Sequence, residues 1–579
     1  MYTNVRNVQI LISLLKQFNI KYFVNSPGTR NTPLVHSIEE DPFFKCYSIV
    51  DERSAAYFAL GLSEALDEPV CVTCTAATAT CNYMPAIKEA YERNIQLVAL
   101  TSDRESYPMF HMQDQSINQV NMYKGYINYS VDIPAILNQE DEWFANRSIN
   151  EAFLELNHNR KGPIQINYHV PSWGAFCVKD IPKERKITRY NKNNINWKEV
   201  KENLKNKKIL VFCGMNYNNN NQELQNNVKE FYEKYNATVV FDNYANLKDD
   251  NYINASVFGD ILTEKESQKL APEIMITFGK VFYSPLKGHF NGKKQNFEHW
   301  HIDENGIVVD GFKNLTKIFE CEPQKFFEEI IKEVNTKNNH EYEQIWKKRI
   351  SEIKIGNLSF SNFSVIRDFC KVIPKNSILH ASVLNSIRIT NYFKIDKSIK
   401  CYANVGADGI DGAFSTFLGQ ANETDKLSFL LIGDLSYLYD LNACLNVNEI
   451  TNNKNVRILI INNYAGAEFH KNFGLSMIPT LNLHIAAGHN TKIEETTGME
   501  NVEYLSAKNQ EELNKNLKKF IGESEKPVVL EVFTDANTDA QILKDFWVRN
   551  INEKIYKKII RKLLPKKYIA KLKKLLRRG

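Results

Sequence analysis

Short runs of consecutive apolar residues, each followed by an amphipathic stretch, recur along this chain of 579 residues. Two such runs, SFLLIG (428–433) and VRILII (456–461), lie in its last third. Continuous apolar runs of this length are typical of strands buried on both faces of a parallel sheet. The segment LNACLNVNEI (441–450) between them predicts the crossover helix that parallel neighbours need.

The same alternation of strand and helix occurs in two further regions. The N-terminal region contains IKYFVNSPGTRNTPLVHSI, EPVCVTCTAATATCNYMPAIKEAYERN and IQLVALTSDR, and the middle region contains KKILVFCG, ATVVFD and PEIMITFG. These repeats predict the α/β class, with three doubly wound parallel-sheet domains, and the chain length agrees with that number. We place the domains at 1–180, 196–345 and 355–537.

Polar side chains follow the two C-terminal apolar runs. Asp434 and Asn463 are 29 positions apart, enough for one strand–helix–strand crossover, which would bring both to the same sheet edge. A carboxylate, an amide oxygen and the backbone carbonyl of Ala465 form the oxygen set that Mg²⁺ prefers. Taken singly, Asp434 could equally cap the next helix and Asn462-Asn463 could form a turn. The pair at this spacing favours the metal site.

A further carboxylate lies far away in the sequence, in YSIVDERSAAYFALGLSEA, which contains Glu52. An acidic residue before a helix is usually a first-turn carboxylate that interacts with the helix dipole. Together with the metal half, however, the two segments resemble the halves of a thiamin-diphosphate (ThDP) site. One half supplies a carboxylate for the aminopyrimidine ring and the other a metal site for the diphosphate.

Seven motifs extend this resemblance to one family: NSPGTRNTPL, DERSAAYFALGLSEA, TSDR, DQSINQ, GADGIDGAFST, GDLSYLYDLNA and INNYAGAEF. From about residue 5 to about residue 535 the chain resembles 2-succinyl-5-enolpyruvyl-6-hydroxy-3-cyclohexene-1-carboxylate (SEPHCHC) synthases. The resemblance implies pyrimidine-binding, central and diphosphate-binding domains in that order. It also implies active sites between two subunits of a homodimer or homotetramer, ThDP with Mg²⁺ or Mn²⁺, and no FAD.

The resemblance assigns roles to individual residues. Glu52 would hydrogen-bond the pyrimidine ring as the catalytic carboxylate, and Ile410 would support the bent cofactor. The full cofactor-binding set is Gly409, Ile410, Asp411, Gly433, Leu435 and Ser436. The metal set is Asp434, Asn463 and the carbonyl of Ala465. The substrate set is Arg30, Arg104, Gln115, Ser386 and Glu468.

The chain also departs from the family pattern at the substrate pocket. Val405 and Thr390 stand where carboxylate-binding arginines are expected, although Arg388 is only two residues from Thr390. Glu468 stands at a position that is usually apolar. Because a buried anion without a partner is costly, we expect a dicarboxylate such as 2-oxoglutarate to bind poorly.

We therefore expect a ThDP- and Mg²⁺-dependent 2-oxo acid decarboxylase or carboligase with an altered substrate pocket. A small donor such as pyruvate and a neutral or sugar-like acceptor fit this pocket. One alternative is authentic SEPHCHC synthase, which joins 2-oxoglutarate and isochorismate, with Arg388 compensating for the lost arginines. Another is an inactive membrane-associated scaffold, which would not need Glu52, Asp434 and Asn463.

Charge is concentrated at the C-terminus. Residues 544–579 contain 14 Lys and Arg against two acidic residues, a net +12, whereas the rest of the chain has 59 basic and 66 acidic residues, a net −7. Within the predicted tail (538–579), apolar residues at helical spacing predict a basic amphipathic helix that binds an anionic membrane surface through 545–579. These residues are Ile555, Ile559, Ile560, Leu563, Leu564, Ile569, Leu572, Leu575 and Leu576. The alternatives are a helix docked on its own enzyme and a nucleic-acid tail, and we expect no nucleic acid because no motif supports it.

The remaining composition points to the cytoplasm. We find no signal-peptide pattern and no run of 18 or more apolar residues. The ten cysteines are scattered without zinc-ligand spacing, which predicts reduced thiols. The predicted location is cytoplasmic, with peripheral attachment to the inner face of the membrane if the tail binds lipid.

Overall fold

The structure is a computed structural model that describes residues 1–215, 221–283, 285–291, 295–356, 358–446, 453–472, 474–495 and 502–551. It separates into two compact units. The first comprises Met1–Asn191 with Gly306–Ile318, and the second comprises Lys192–Asn305 with the chain from Phe319 onward. The three predicted domain ranges stay predictions.

The first unit is built on six parallel strands in the order β3-β2-β4-β5-β7-β6. All five residues of β4 and all seven of β5 are buried, as expected of strands covered on both faces. Strands β1 and β8 pair with each other antiparallel. The strands are β1 (Tyr2–Thr3), β2 (Tyr22–Asn25), β3 (Lys45–Ser48), β4 (Val70–Cys74), β5 (Leu97–Asp103), β6 (Tyr129–Ile133), β7 (Ile164–His169), β8 (Phe176–Val178) and β9 (Thr188–Asn191).

Helices cover both faces of this sheet, and each face has its own apolar core. One core is formed around the apolar residues of α1, and the other around the alanines of α3. The helices are α1 (Arg6–Gln17), α2 (Thr32–Glu39), α3 (Glu52–Leu66), α4 (Thr78–Cys81), α5 (Met84–Arg93) and α6 (Gln139–Leu154).

The second unit contains two groups of parallel strands. In the first group the order is β12-β11-β10-β13-β14. Its strands are β10 (Ile209–Cys213), β11 (Ala237–Phe241), β12 (Ile253–Asn254), β13 (Ile274–Phe278) and β14 (Glu298–Ile302), and β15 (Leu315–Glu320) follows in the chain. The helices of this region are α7 (Trp197–Leu204), α8 (Gln222–Lys234), α9 (Phe258–Ile261), α10 (Glu264–Leu270), α11 (Pro323–Ile331) and α12 (Glu341–Ser351).

The second group is a parallel sheet in the order β17-β16-β18-β19-β21-β20. Its strands are β16 (Ile378–Ala381), β17 (Lys400–Tyr402), β18 (Ser428–Gly433), β19 (Val456–Asn462), β20 (Glu503–Ala507) and β21 (Val528–Phe533). Its helices are α13 (Asn362–Val372), α14 (Asn385–Thr390), α15 (Ala413–Asn422), α16 (Asp434–Tyr439), α17 (Ala467–His470), α18 (Gln510–Phe520) and α19 (Ala536–Asn550).

The predicted α/β class with parallel sheets is therefore confirmed. The two strands predicted at 428–433 and 456–461 exist, and they are neighbours in the sheet. The connection between them differs from the prediction, because α16 begins directly at Asp434 and a 3₁₀ helix covers Leu441–Asn446. The remainder of the predicted helix, from 447, lies outside the described residues.

The C-terminal region is described only in part. Helix α19 includes the first residues of the predicted tail, and its Phe546 packs against Phe363 and Tyr392, with ring centroids 5.1 and 5.5 Å apart. The predicted amphipathic residues 555–576 lie outside the described part of the chain. Among the described helices, none has the length and apolar character needed to cross a membrane.

Candidate active site

Asp434 is held by backbone donors at the carboxyl end of β18. Its Oδ1 accepts a hydrogen bond from the Leu435 N–H (2.8 Å), and its Oδ2 accepts one from the Asn463 N–H (3.1 Å). The His489 Nε2 lies 3.3 Å from the same Oδ2. Only 4% of Asp434 is exposed. The two strand ends that were predicted to meet are thus joined by a direct contact.

Asp539 orients the Asn463 side chain. The Asn463 Nδ2 donates to Asp539 Oδ2 (3.0 Å), a carboxylate that also accepts from the Thr534 hydroxyl (2.8 Å). Because the amide nitrogen is bound on that side, the amide oxygen faces Ala465, whose N–H lies 3.4 Å from it. Burial raises the pKa of Asp539 to about 6, and its hydrogen bonds oppose this rise.

The loop after Asn463 has an unusual backbone. Tyr464 has a φ of +63°, in the left-handed region. A Cβ at Gly466 would lie 3.0 Å from the Phe469 ring, so the chain approaches that ring closely here. A cavity of about 370 Å³ adjoins this loop and is lined in part by Asn463, Ala465 and His489. The loop therefore presents backbone and side-chain oxygen beside open space.

The donor chemistry of this edge fits a hard cation. Asp434 offers a carboxylate oxygen, Asn463 an amide oxygen and Ala465 a backbone carbonyl, which is an all-oxygen set of the type that binds Mg²⁺ with phosphate. Within the described residues there is no group of three or more His, Cys, Asp and Glu side chains suited to a metal. A site here would therefore depend on the amide and carbonyl oxygens, and on phosphate.

The predicted cofactor-binding loop is tied to α16. The Ser436 hydroxyl donates to the Ile410 carbonyl (2.5 Å). A Cβ at Gly409 would lie 2.4 Å from the end of the flexible Asp411 side chain, and Gly412 has a φ of +76°, a conformation that favours glycine. Gly433 precedes α16 as its N-cap residue. The structure thus brings the predicted cofactor and metal residues of this unit together around the start of α16.

Glu52 is the first residue of α3, in the first unit. The preceding Asp51 caps the helix, because its carboxylate accepts the Ser54 N–H (2.8 Å). Asp51 therefore supplies the cap, and Glu52 is a carboxylate in the first turn, next to the positive end of the helix dipole.

The predicted substrate residues Arg30 and Gln115 belong to the first unit. The Arg30 guanidinium donates to the Val170 carbonyl (2.9 Å), and burial, followed by the charge of Arg104, lowers its pKa. Gln115 has a φ of +48°. A Cβ at Gly28 would lie 2.3 Å from the Thr75 side chain, which explains the glycine in this loop.

A pair formed by the buried His169 and the partly buried Asp132 supports Arg104. The His169 Nδ1 contacts the Arg104 carbonyl, and its Nε2 lies 2.9 Å from Asp132 Oδ1. Asn167 donates both to Asp132 (2.7 Å) and to Asp103 (3.0 Å). Burial lowers the pKa of His169, but the hydrogen bond and charge of Asp132 outweigh it, so the net shift is upward.

Ser386 and Glu468 lie beside Arg388 in the second unit. Ser386 is buried on α14 and accepts the Ser382 hydroxyl (3.1 Å). Glu468 lies on α17 and forms an ion pair with Arg388 (2.5 Å). Thr390 and Val405, which replace the expected arginines, are both buried.

Three residues near the site have no signal in the sequence motifs. All three come from segments outside those motifs. Asp539 contacts Asn463, 76 positions away, and His489 contacts Asp434, 55 positions away. Asp260 contacts Tyr392, 132 positions away. A buried acidic residue early in a helix is a weak signal for Asp539. The roles assigned to individual site residues stay predictions.

Residues 6–122 match the family model of the thiamine pyrophosphate enzyme N-terminal TPP-binding domain. SEPHCHC synthase from Bacteroides thetaiotaomicron is 33% identical over 94% of this chain and 99% of its own length. The Phocaeicola vulgatus synthase is 32% identical over 96% and 100%. A solved benzoylformate decarboxylase from Polynucleobacter necessarius aligns with a TM-score of 0.44 at 14% identity, over 93% and 99%.

The chain is a thiamin-diphosphate enzyme of the class that forms or cleaves C–C bonds. It belongs to the SEPHCHC synthase family.

The His169–Asp132 pair predicts a pH-dependent stability. His169 has a raised pKa, so its contribution is complete below the ordinary value of 6.5 and is lost as the pH rises through the raised value. Asp132 has a lowered pKa, so its contribution is present above 3.8 and lost in acid. We expect His169→Gln to lower the free energy of unfolding by about 1–3 kcal/mol at pH 6 and by less at pH 9.

Urea unfolding at the two pH values measures this difference. The exposed His484 provides the matched control, and His484→Gln should have little effect at either pH. An equal loss of stability for His169→Gln at pH 6 and pH 9 would contradict the assignment.

Proposed function

We propose that the protein is a ThDP- and Mg²⁺-dependent 2-oxo acid decarboxylase or carboligase. The observation that carries this proposal is the contact between Asp434 and Asn463, which brings two oxygen ligands together at the carboxyl edge of a parallel sheet. Bound ThDP would supply a carbanion nucleophile and an electron sink for chemistry at the 2-oxo carbon. Membership of the SEPHCHC synthase family supports the same reaction class.

Different residues of this chain would bind the metal, act on the cofactor and bind the substrate. Asp434, Asn463 and the Ala465 carbonyl would hold Mg²⁺ against the diphosphate, and Asp539 would keep the Asn463 oxygen turned toward the metal. Glu52 would hold a proton at its carboxylate against the pyrimidine ring, acting as a positioned acid–base group. Arg30 and Arg104 would bind the carboxylate of the substrate.

The substrate is proposed from the altered pocket. Buried Val405 and Thr390 offer no cation for a second carboxylate, which favours a small donor such as pyruvate and a neutral or sugar-like acceptor. The second candidate is SEPHCHC synthase activity with 2-oxoglutarate and isochorismate, which the names of the relatives favour. An inactive scaffold fits less well, because it would have no chemical need for Glu52, Asp434 and Asn463 together.

Two variants test the cofactor site. We expect Asp434→Ala to abolish Mg²⁺-dependent ThDP binding, because the variant lacks the anionic ligand. Glu52→Gln should bind ThDP normally but slow exchange of the thiazolium C2 proton by about 10²–10⁴-fold. Calorimetry measures binding, and NMR measures exchange.

Each variant is the control for the other, because Asp434→Ala should lose ThDP binding whereas Glu52→Gln should keep it. ThDP binding by Asp434→Ala at wild-type affinity would overturn the metal assignment. Unchanged C2 exchange in Glu52→Gln would overturn the role of Glu52.

We further propose a homodimer whose active sites combine two subunits. Helix α3 begins at Glu52 and exposes an apolar stripe at helical spacing, formed by Tyr57, Phe58, Gly61 and Ala65. A Cβ at Gly61 would meet no atom within 4 Å. Such a face suits the same face of a second copy.

Subunit mixing tests this arrangement. In a heterodimer of Glu52→Gln and Asp434→Ala chains, one of the two shared sites would contain both native residues. Because half of randomly mixed dimers are heterodimers, we expect about a quarter of wild-type activity after refolding an equal mixture. Sites confined to single subunits would give no recovery above the separate variants.

The C-terminal segment is proposed to bind an anionic membrane surface. Residues 552–579 carry 12 Lys and Arg and one acidic residue, and each cation near an anionic leaflet is worth about 1 kcal/mol. We expect deletion of 552–579, which leaves α19 complete, to preserve catalysis and to abolish sedimentation with phosphatidylserine vesicles at low salt. Neutral vesicles are the control, and equal sedimentation of the truncated protein would contradict the proposal.

A further inference from the structure

Arg388 is occupied by an acidic partner. Its Nη1 lies 2.5 Å from Glu468 Oε2 and its Nη2 lies 3.3 Å from Glu468 Oε1, so two guanidinium nitrogens face one carboxylate. The Nη1 also donates to the Asn385 side chain (2.9 Å). Burial lowers the pKa of Arg388, but the charge of Glu468 outweighs it and the net shift is upward. The pair is therefore a partly buried, bidentate contact.

Glu468 engages a second cation as well. The Lys471 Nζ lies 2.5 Å from Glu468 Oε1. Burial, followed by the charge of Arg388, lowers the pKa of Lys471. One carboxylate thus holds two neighbouring cations that would otherwise repel each other. Without Glu468, Arg388 and Lys471 would form a strong site for an anion.

The same arginine lines a cavity of about 240 Å³, which we call the Arg388 pocket. Its walls also include Asp260, Tyr283, Tyr392 and Asp408. The Tyr392 hydroxyl donates to Asp260. Asp408 is two residues before Ile410, so the pocket adjoins the predicted cofactor loop. Burial raises the pKa of both Asp260 and Asp408.

The ionisable groups around the Arg388 pocket have a net negative charge when all of them are ionised. Arg388 and Lys471 contribute two positive charges, whereas Glu468, Asp260 and Asp408 contribute three negative ones when ionised. A second carboxylate on a substrate would enter beside acidic walls and meet an arginine already bound to Glu468. A hydroxyl group, by contrast, could donate to Asp408 or Tyr283.

We propose that Glu468 selects the donor by keeping Arg388 and Lys471 paired, so that the pocket takes 2-oxo acids with a single carboxylate and an uncharged side chain. This inference rests on the proposed function, and it specifies the substrate class of that same site. Because Arg388 is bound to Glu468, it also cannot replace the arginines that the resemblance implies at positions 390 and 405.

A pair of substrates with equal length tests the proposal. 2-Oxopentanoate and 2-oxoglutarate both have five carbons and differ in a terminal methyl against a terminal carboxylate. With the ThDP- and Mg²⁺-loaded enzyme, we expect kcat/KM for CO₂ release to favour 2-oxopentanoate by about ten-fold or more. A wild-type enzyme that uses 2-oxoglutarate at least as well would overturn the inference.

The Glu468→Gln variant supplies the mechanistic test. Freeing both cations should raise kcat/KM for 2-oxoglutarate relative to that for 2-oxopentanoate by about ten-fold, mainly through the KM for 2-oxoglutarate. Lys471→Met is the matched control, because it changes the local charge but keeps Arg388 paired, and it should give no gain for 2-oxoglutarate. No gain in folded, ThDP-binding Glu468→Gln would overturn the inference.

Binding measurements decide the case where turnover is too slow or the variant does not fold. Calorimetry in the Glu52→Gln background, loaded with ThDP and Mg²⁺, should show weaker binding of 2-oxoglutarate than of 2-oxopentanoate, and equal or tighter binding would overturn the inference. Failure of the wild-type protein to bind ThDP would overturn the proposed function itself. Normal ThDP binding with the opposite donor preference would overturn only the role of Glu468.

Discussion

The hydrogen bond from the Asn463 N–H to the Asp434 carboxylate is the contact on which the rest of the site depends. It forms because β18 and β19 are parallel neighbours with Gly433 opposite Ile461, so both strands end at the same edge. A buried carboxylate is costly unless its oxygens are bonded. Asp434 meets this need with two backbone N–H groups, which fix its carboxylate at the start of α16.

In both units an acidic side chain outside the predicted site fixes the direction of a functional group. In the second unit, Asp539 binds the amide nitrogen of Asn463 and so determines where its oxygen points. In the first unit, Asp132 binds His169, which contacts the Arg104 carbonyl. Each acid lies beyond the group that would touch a ligand, and each is compensated by several donors. Such supporting contacts fix side-chain orientation without entering the site.

Sequence patterns predicted the elements with strong local signals. The apolar runs of β18 and β19 identified both strands, and the residues after them identified Asp434 and Asn463. The helix predicted at 441–450 has 3₁₀ geometry over Leu441–Asn446, and its remainder lies outside the described residues. The helix α16, which begins at Asp434 itself, was not predicted. Asp539, His489 and Asp260 could not be found, since their contacts form only when distant segments fold together. The pairing of Arg388 with Glu468, 80 positions away, could not be predicted from the sequence either.

The pairing of Arg388 with Glu468 determines whether Arg388 can replace the arginines expected at positions 390 and 405. A lost cation can be replaced by a neighbouring one only if the neighbour's charge is available to the ligand. Arg388 is near Thr390 in sequence, but its guanidinium is bound by Glu468, and Asp260 and Asp408 face the same cavity. In the proposed donor pocket, Thr390 and Val405 stand where the resemblance implies arginines, and Glu468 binds the nearest cation that could replace them. The residues that would hold the cofactor are unaffected by this exchange, so the reaction class and the substrate charge can vary independently on the same fold.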